Sequence, residues 1–360
     1  EDEADRRCAG TAPSMSLGLT YAVVRSHALM ADLLTSEQMR SLALSEDLEA
    51  FIEGLSETPY GRISVDADGD VSIALEKVFY RKFIERMTRV VDIAPRNIAE
   101  FLQTYYYMRF EVLNLKRILR GKFSGIPVPQ IIDSLVPIEP YRAGDFEELA
   151  EAETLEEAVE RLRDTPYSAL EASMELCKEY DALWPLDLAL NHLYAATVLR
   201  SLRSLPRGDR ALVRRIVEVE ADVENFLIAM KRRRASEEAS RARSLEDLFP
   251  ATYGIGLDRI REVIEAEEIK PVIEALGSPY SEILAPIYEG DVALIRTRLR
   301  RHIYRTARLS RSANDFGFNV IMAYLVFSEI EKDDLVGIGW GKAQGVPSED
   351  VLKYLTIVEG

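Results

Sequence analysis

Three histidines, His27, His192 and His302, are the first candidates for acid–base or metal chemistry, and they stand far apart in the chain. No His-Glu-x-x-His or Cys-x-x-Cys pattern accompanies them, so each reads as a structural residue of its own segment. Asp333-Asp334 could present the paired carboxylates that hold magnesium for diphosphate chemistry in all-helical prenyl synthases. That chemistry needs a second acidic cluster opposite the first, and Asp181 to Asp187 offers two aspartates interrupted by Trp184-Pro185. Gly337-Ile-Gly339-Trp-Gly341 is a loose likeness of a phosphate loop. It lacks the preceding strand and the Gly-Lys-Ser/Thr ending, and it reads as a frayed helix end. No catalytic, cofactor-binding or metal-ligating residue is therefore expected.

What remains is charge. Arg296, Arg298, Arg300, Arg301, Arg305, Arg308 and Arg311 form the densest basic run. They read either as a solvated helix face or as a docking patch whose planar guanidinium groups pair with carboxylates. Arg296, Arg300, Arg301, Arg305 and Arg308 are the interface candidates. Lys231-Arg-Arg-Arg234 ends an apolar helical stripe and suits the negative end of that helix. Seven glutamates between Phe146 and Arg161 read as an exposed helix face. Tyr105-Tyr-Tyr107 wraps around its helix, with Tyr105 in the core and its two neighbours at the boundary.

These residues belong to a chain with a net charge of −16, whose field would repel nucleic acid and anionic lipid. At 360 residues it is long enough for two or three modules, and 47% apolar composition is ample for their cores. The cysteines Cys8 and Cys177 define no disulfide framework, and a reducing cytoplasm fits best. The longest apolar run, Val320 to Phe327, is far short of the roughly 20 residues that cross a bilayer. Residues 1–15 read as a tail without the order of a signal peptide.

The elements that must position these side chains are written three times. Leu55-Ser-Glu-Thr-Pro-Tyr60, Leu162-Arg-Asp-Thr-Pro-Tyr167 and Leu276-Gly-Ser-Pro-Tyr280 repeat one phrase, which reads as a helix start. Phe101, Tyr105, Met108, Val112, Leu115 and Leu119 make one helical stripe, and adding 111 gives Leu212, Ile216, Val219, Val223, Phe226 and Met230. The same step carries Asn114 onto Asn225. Adding 220 carries Gly121-Lys122 to Pro127 onto Gly341-Lys342 to Pro347, a helix stop followed by a new start. The third stripe is worn: Ile321, Leu325, Ser328, Lys332, Leu335 and Gly339 keep apolar side chains at only three places. The fold class is all-α, with Arg62 to Ile73 as the non-helical exception. Boundaries fall near 140 and 251, giving modules 16–140, 141–251 and 252–360.

Tyr21 to Leu34, the repeated Pro-Tyr phrase, Leu113-Asn-Leu-Lys-Arg-Ile-Leu-Arg-Gly-Lys122 and the closing Glu329 to Pro347 resemble the C subunit of A-type and bacterial V-type ATP synthases. That family is related to the vacuolar ATPase d subunit. The resemblance runs from about residue 16 to residue 360. It implies three similar helical modules around a pseudo-threefold axis, a funnel between the proteolipid ring and the shaft subunits D and F. It further implies a single non-catalytic copy in a hetero-oligomer, held peripherally on the cytoplasmic side of the membrane, without a transmembrane segment of its own and without nucleic acid as a partner. In the last copy Val336, Gly337, Gly339 and Trp340 replace Lys116, Arg117, Leu119 and Arg120, so contacts of that basic edge are not expected there. The alternative is a helical-repeat scaffold outside rotary ATPases.

Overall fold

Alternating steps of three and four between apolar residues commit most of the chain to helix, and every regular element among the described residues is helical. The computed structural model describes residues 17–63, 70–138, 143–233, 248–249 and 251–357. Residues 1–16, Pro140, Arg234 and Pro250 lie outside them, so the expected tail and part of both expected boundaries do too.

The first helices are α1 (Leu17–Met30), α2 (Ser36–Ala43), α3 (Leu48–Leu55) and α4 (Val71–Ile93). Then come α5 (Arg96–Phe123), α6 (Val128–Asp133), α7 (Phe146–Ala150), α8 (Leu155–Glu160) and α9 (Leu170–Tyr180). They are followed by α10 (Trp184–Ser201), α11 (Arg210–Arg233), α12 (Leu257–Glu265), α13 (Ile269–Ala275) and α14 (Tyr280–Leu284). The last are α15 (Val292–Ala313), α16 (Phe318–Ala343) and α17 (Ser348–Lys353). The long pairs α4–α5, α10–α11 and α15–α16 are hairpins that pack within themselves, and α5, α11 and α16 carry the three stripes.

Helix ends follow local chemistry. Asp70 caps α4 through Ser72 N at 2.8 Å, so helix begins at Val71 and Ile73 is helical, which shortens the expected irregular segment. Gly125 and Gly345 take positive φ of 66° and 67°, and Ile126 N and Val346 N return to Gly121 O and Gly341 O, closing α5 and α16 as the glycine spacing predicts. Gly121 and Gly341 also allow close packing, because a Cβ there would sit 2.5 Å from Ile131 and 2.8 Å from Val351. Five of the seven glutamates lie in two short helices, α7 and α8, with Glu151 and Glu153 between them, rather than on one face, because Thr154 caps a new start.

All six positions of the first stripe are buried, as are five of the second, with Met230 partly covered. The worn third stripe is buried as well, since α16 packs against α1, α3, α4 and α15 and is exposed only near its C-terminal end, at Gly337 and Ala343. Residues 337–341 are continuous helix within α16, not a frayed end. Tyr106 is fully buried, 5.3 Å from Phe83 ring to ring, and is core rather than boundary. Buried apolar side chains form one continuous set from Ala22 to Ile357, and the contacts α5–α10, α11–α15 and α16–α4 carry it across the expected boundaries.

Candidate functional site

The repeated Pro-Tyr phrase does not start helices at Tyr60 and Tyr167. Both sit in turns where the threonine hydroxyl donates to the leucine carbonyl three residues back and accepts from the tyrosine N–H. Only Tyr280 opens a helix, α14. The phrase aims the tyrosine ring. Tyr60 Oη donates to Glu331 at 2.8 Å, Tyr167 Oη to Glu111 at 2.7 Å and Tyr280 Oη to Asp222 at 2.7 Å. Glu111, Asp222 and Glu331 are related by the same steps of 111 and 220 that relate the stripes. Each bond crosses an expected boundary: the second phrase holds the first long helix, the third holds the second, and the first holds the third.

The three carboxylates are buried, so each needs donors. Glu331 faces the buried Arg86 guanidinium at 2.6 Å. Asp222 accepts from Tyr253, Gly254 and Ile255 N–H groups at 2.9, 2.6 and 3.1 Å. Burial nevertheless raises the pKa of Asp222, against the pull of Tyr280 and these amides. Burial, and then the adjacent carboxylate, raises the pKa of Tyr60 and Tyr280, which keeps both phenols protonated as donors.

A second set of equivalent positions meets directly. Arg109 donates to Glu220 at 2.6 Å and to Glu329 at 3.4 Å, and 109, 220 and 329 differ by those same steps. Tyr105 and Tyr194 hydroxyls accept from the same guanidinium at 3.0 and 3.1 Å. One turn further along the three helices stand Leu113, Glu224 and Asp333, again equivalent, and all three line a cavity of about 480 Å³. Its remaining wall comes from α10, α15 and Tyr354, and Val217 of α11, Tyr194 and Leu299 are among the apolar surfaces.

Of the sequence candidates, Arg296 and Arg300 reach this cavity. Arg296 pairs with Glu224 at 2.8 Å, and Arg300 approaches Asp333 at 3.9 Å. Arg301 turns to the Lys353 and Leu355 carbonyls at the end of α17. Arg305 and Arg308 are exposed, and Arg308 lines a separate cavity of about 270 Å³ beside Met30 and Arg311. The five are thus not gathered on one face. Arg233, at the end of α11, bonds the Val263 and Glu267 carbonyls.

Other polar candidates have internal uses. His27 meets the Asp315 carbonyl, His192 the Asn225 side chain and His302 Thr306. Asp334 accepts from Thr356 and Ile357 N–H groups, and Asp333 pairs with Lys332 at 2.5 Å. Burial pushes Asp334 up to about 6. The first copy's basic edge bonds to Asn191 through Lys116, Glu76 through Arg117 and Asp187 through Arg120, and Trp340 shares Glu76 with Arg117. Sequence reasoning missed the 109/220/329 and 111/222/331 sets. The signal was present, because the spacing that aligns the stripes also aligns these charges.

The described residues form an all-α protein of helical-repeat type, in which equivalent positions of the repeated sequence meet beside a cavity of mixed charge. Residues 22–354 match the family described as ATP synthase (C/AC39) subunit, and the chain belongs to that family. It is similar to the A-type ATP synthase C subunit of Methanocaldococcus jannaschii, 22% identical over 93% of this chain and 85% of that one. The corresponding C subunit of Archaeoglobus fulgidus is 23% identical over 94% and 96%, and that of Methanothermobacter thermautotrophicus 24% over 93% and 87%. This match decides against a scaffold outside rotary ATPases. No helix among the described residues is long and apolar enough to cross a membrane.

Proposed function

We propose that the chain is a non-catalytic rotor subunit of an A/V-type ATP synthase, joining the proteolipid ring of the membrane sector to the shaft subunits D and F. It sits as a single copy on the cytoplasmic side of the membrane, held there through its partners. Its three copies, 16–140, 141–251 and 252–360, act as quasi-equivalent modules around a pseudo-threefold axis, and the cavity between the long helices is the socket for the shaft. Family membership over residues 22–354 carries the reading. The meeting of Arg109, Glu220 and Glu329 supports the axis, since equivalent positions come together only where copies face one another. A coupling part must be stiff, and clasps between neighbouring copies in a close-packed core supply stiffness.

The test is depletion. A complex lacking the chain should keep ATP hydrolysis in its catalytic head and lose ATP-driven ion transport, and adding the chain back should restore transport. Normal coupling without it, or its failure to co-purify with ring and shaft, would refute the proposal.

A further inference from the structure

We propose that the end of the molecule formed by the three long-hairpin turns and α1 seats directly on an anionic lipid surface, with exposed arginines against the headgroups and the outer stripe of α1 in the interfacial layer. This goes beyond the rotor reading, because it concerns an affinity of the chain itself rather than a hold through partners.

The turns lie together. α5, α11 and α16 run parallel, since equivalent positions meet at two successive levels, 109/220/329 and 113/224/333. Their first residues, and the turns 94–95, 202–209 and 314–317 that lead into them, therefore share one end. Contacts there agree: Asn97 donates to the Ser204 carbonyl at 3.2 Å, and the Phe101 and Phe318 rings stand 5.8 Å apart. α1 spans from the first turn to the third, because a Cβ on Gly18 would stand 3.7 Å from Pro95 and His27 meets the Asp315 carbonyl at 3.0 Å.

This end is basic although the chain is acidic. Residues 17–30, 87–102, 195–216 and 307–324 hold eleven arginines, no lysine and four carboxylates, a net charge of +7 in a chain of −16. The second turn is the focus, with Arg200, Arg203 and Arg207 all exposed and without a carboxylate partner among the described residues. Arg96 and Arg214 pair with Glu100 and Glu218 and add less. A charged surface acts over a Debye length of about 8 Å at physiological salt, whereas the far ends of α5 and α11 stand about 36–42 Å away. The acidic remainder is thus out of range, and the asymmetry turns the arginine-rich end toward an anionic surface.

The apolar side chains at the same end decide which surface that is. Leu17, Tyr21 and Val24 recur at steps of four and three on the outer face of α1, 90, 55 and 58% exposed, while Ala22, Val23 and Leu29 fill its inner face. Leu309 and Phe316, beside the third turn, are 69 and 71% exposed. A nucleic-acid backbone would use the arginines and leave these side chains in water. A bilayer interface uses both, since it takes up aliphatic and aromatic groups below the level at which arginine meets phosphate.

The experiment floats the full chain with vesicles of neutral phosphatidylcholine, and with vesicles carrying about 30% phosphatidylglycerol, at about 0.05 and about 0.5 M salt. One variant carries Arg200→Gln, Arg203→Gln and Arg207→Gln, and another Leu309→Ser with Phe316→Ser. The control, Lys231→Gln with Arg259→Gln and Arg261→Gln, makes the same charge change at the opposite end, where α12 meets the last turn of α11. Thermal midpoints check folding. Wild type should float with anionic vesicles, less at high salt, and stay down with neutral ones. Each arginine near an anionic leaflet raises partitioning about fivefold, so the triple arginine variant should lose about a hundredfold. The serine variant should lose most of what remains at high salt, and the control should match wild type. Wild type that floats with neither vesicle, or equally with both, would overturn the proposal, as would equal losses in the control and the arginine variant. Wild type that ignores vesicles yet binds detergent-solubilised proteolipid ring through Arg200, Arg203 and Arg207 would overturn it in favour of a protein surface. The rotor reading survives each of these results, because depletion and add-back do not depend on lipid affinity.

Discussion

In Arg109→Met a thioether of similar length replaces the guanidinium that joins Glu220 and Glu329. The arginine bonds two carboxylates and two phenols, so its loss leaves two partly buried acids without their shared partner. Removing one member of a fully buried pair costs about 3–5 kcal/mol. Here the side chains keep 24, 20 and 12% exposure, and solvent screening brings the expectation to about 2–3 kcal/mol at pH 8. The pH dependence is the sharper test. Burial already holds Glu329 above the usual carboxylate range, and Arg109 is the foremost influence opposing it. Without Arg109 that pKa rises further. An acid whose folded pKa is raised contributes stability below its unfolded pKa and loses it as pH rises through the folded one, so the deficit of Arg109→Met should be large at pH 8 and shrink by pH 5. Urea unfolding of wild type and variant at both pH values measures this. Adding Glu220→Gln and Glu329→Gln should return at least half of the loss, the mark of coupled positions. A single variant within about 0.5 kcal/mol of wild type at both pH values, or a triple variant no better than the single, would refute the claim that these three residues act as one cluster.

Tyr280→Phe leaves Asp222 with backbone donors alone and should cost about 1–2 kcal/mol, read as a lowered thermal midpoint; an unchanged midpoint would remove the clasp from the account. Asp334, raised to about 6 from an ordinary 3.8, contributes stability below pH 3.8 that is lost as pH rises through 6, about 3 kcal/mol in all. Asp334→Asn, the residue type at 114 and 225, should flatten that profile between pH 4 and 8, and a parallel decline in wild type and variant would count against it. Gly121→Ala places a Cβ 2.5 Å from Ile131 and should lose about 1–3 kcal/mol despite alanine's better helix propensity, with Ile131→Val giving partial rescue; a stabilised Gly121→Ala would show that α6 is free to move away.

The long helices, their shared register and the glycine stops were legible because each is a local pattern: a stripe from Phe101 to Leu119, or a positive φ at Gly125 and Gly345. Tertiary partners were not, since periodicity marks a buried face without saying what covers it. Lys332 looked like decay of the third stripe, yet its ammonium lies 4.1 Å from the centre of the Tyr80 ring and against Asp333. Ser328 receives Arg86 at 3.2 Å, from a residue far away in sequence. Tyr106 reads as boundary only while α5 is taken alone; the packing of α4 makes it core. The Pro-Tyr phrase was found for its repetition and given a helix-capping role, when its chemistry is the hydroxyl that reaches the neighbouring copy. For the candidate site, Arg296 and Arg300 were named from charge density alone, and nothing local separated them from Arg301, which bonds carbonyl groups of its own copy.

Among the described residues, the most deeply buried ion pair that joins two copies, Arg86–Glu331, lies at the seam that the backbone does not close. The peptide backbone joins the first copy to the second and the second to the third, but no backbone joins the third to the first. There Tyr60 and Arg86 both hold Glu331, Arg86 also reaches Ser328, and Trp340 reaches Glu76. The positions equivalent to Arg86 are Thr197 and Thr306, so the arginine is specific to this seam. A linear repeat array needs polar caps on its terminal units because each exposes the face its neighbour would cover. Here α4 and α16 pack together, and the Arg86–Glu331 ion pair is buried between them. On the rotor reading, torque entering at one helix has no free end at which to be lost, and weakening the Tyr60–Arg86–Glu331 seam should loosen coupling before it loosens either copy.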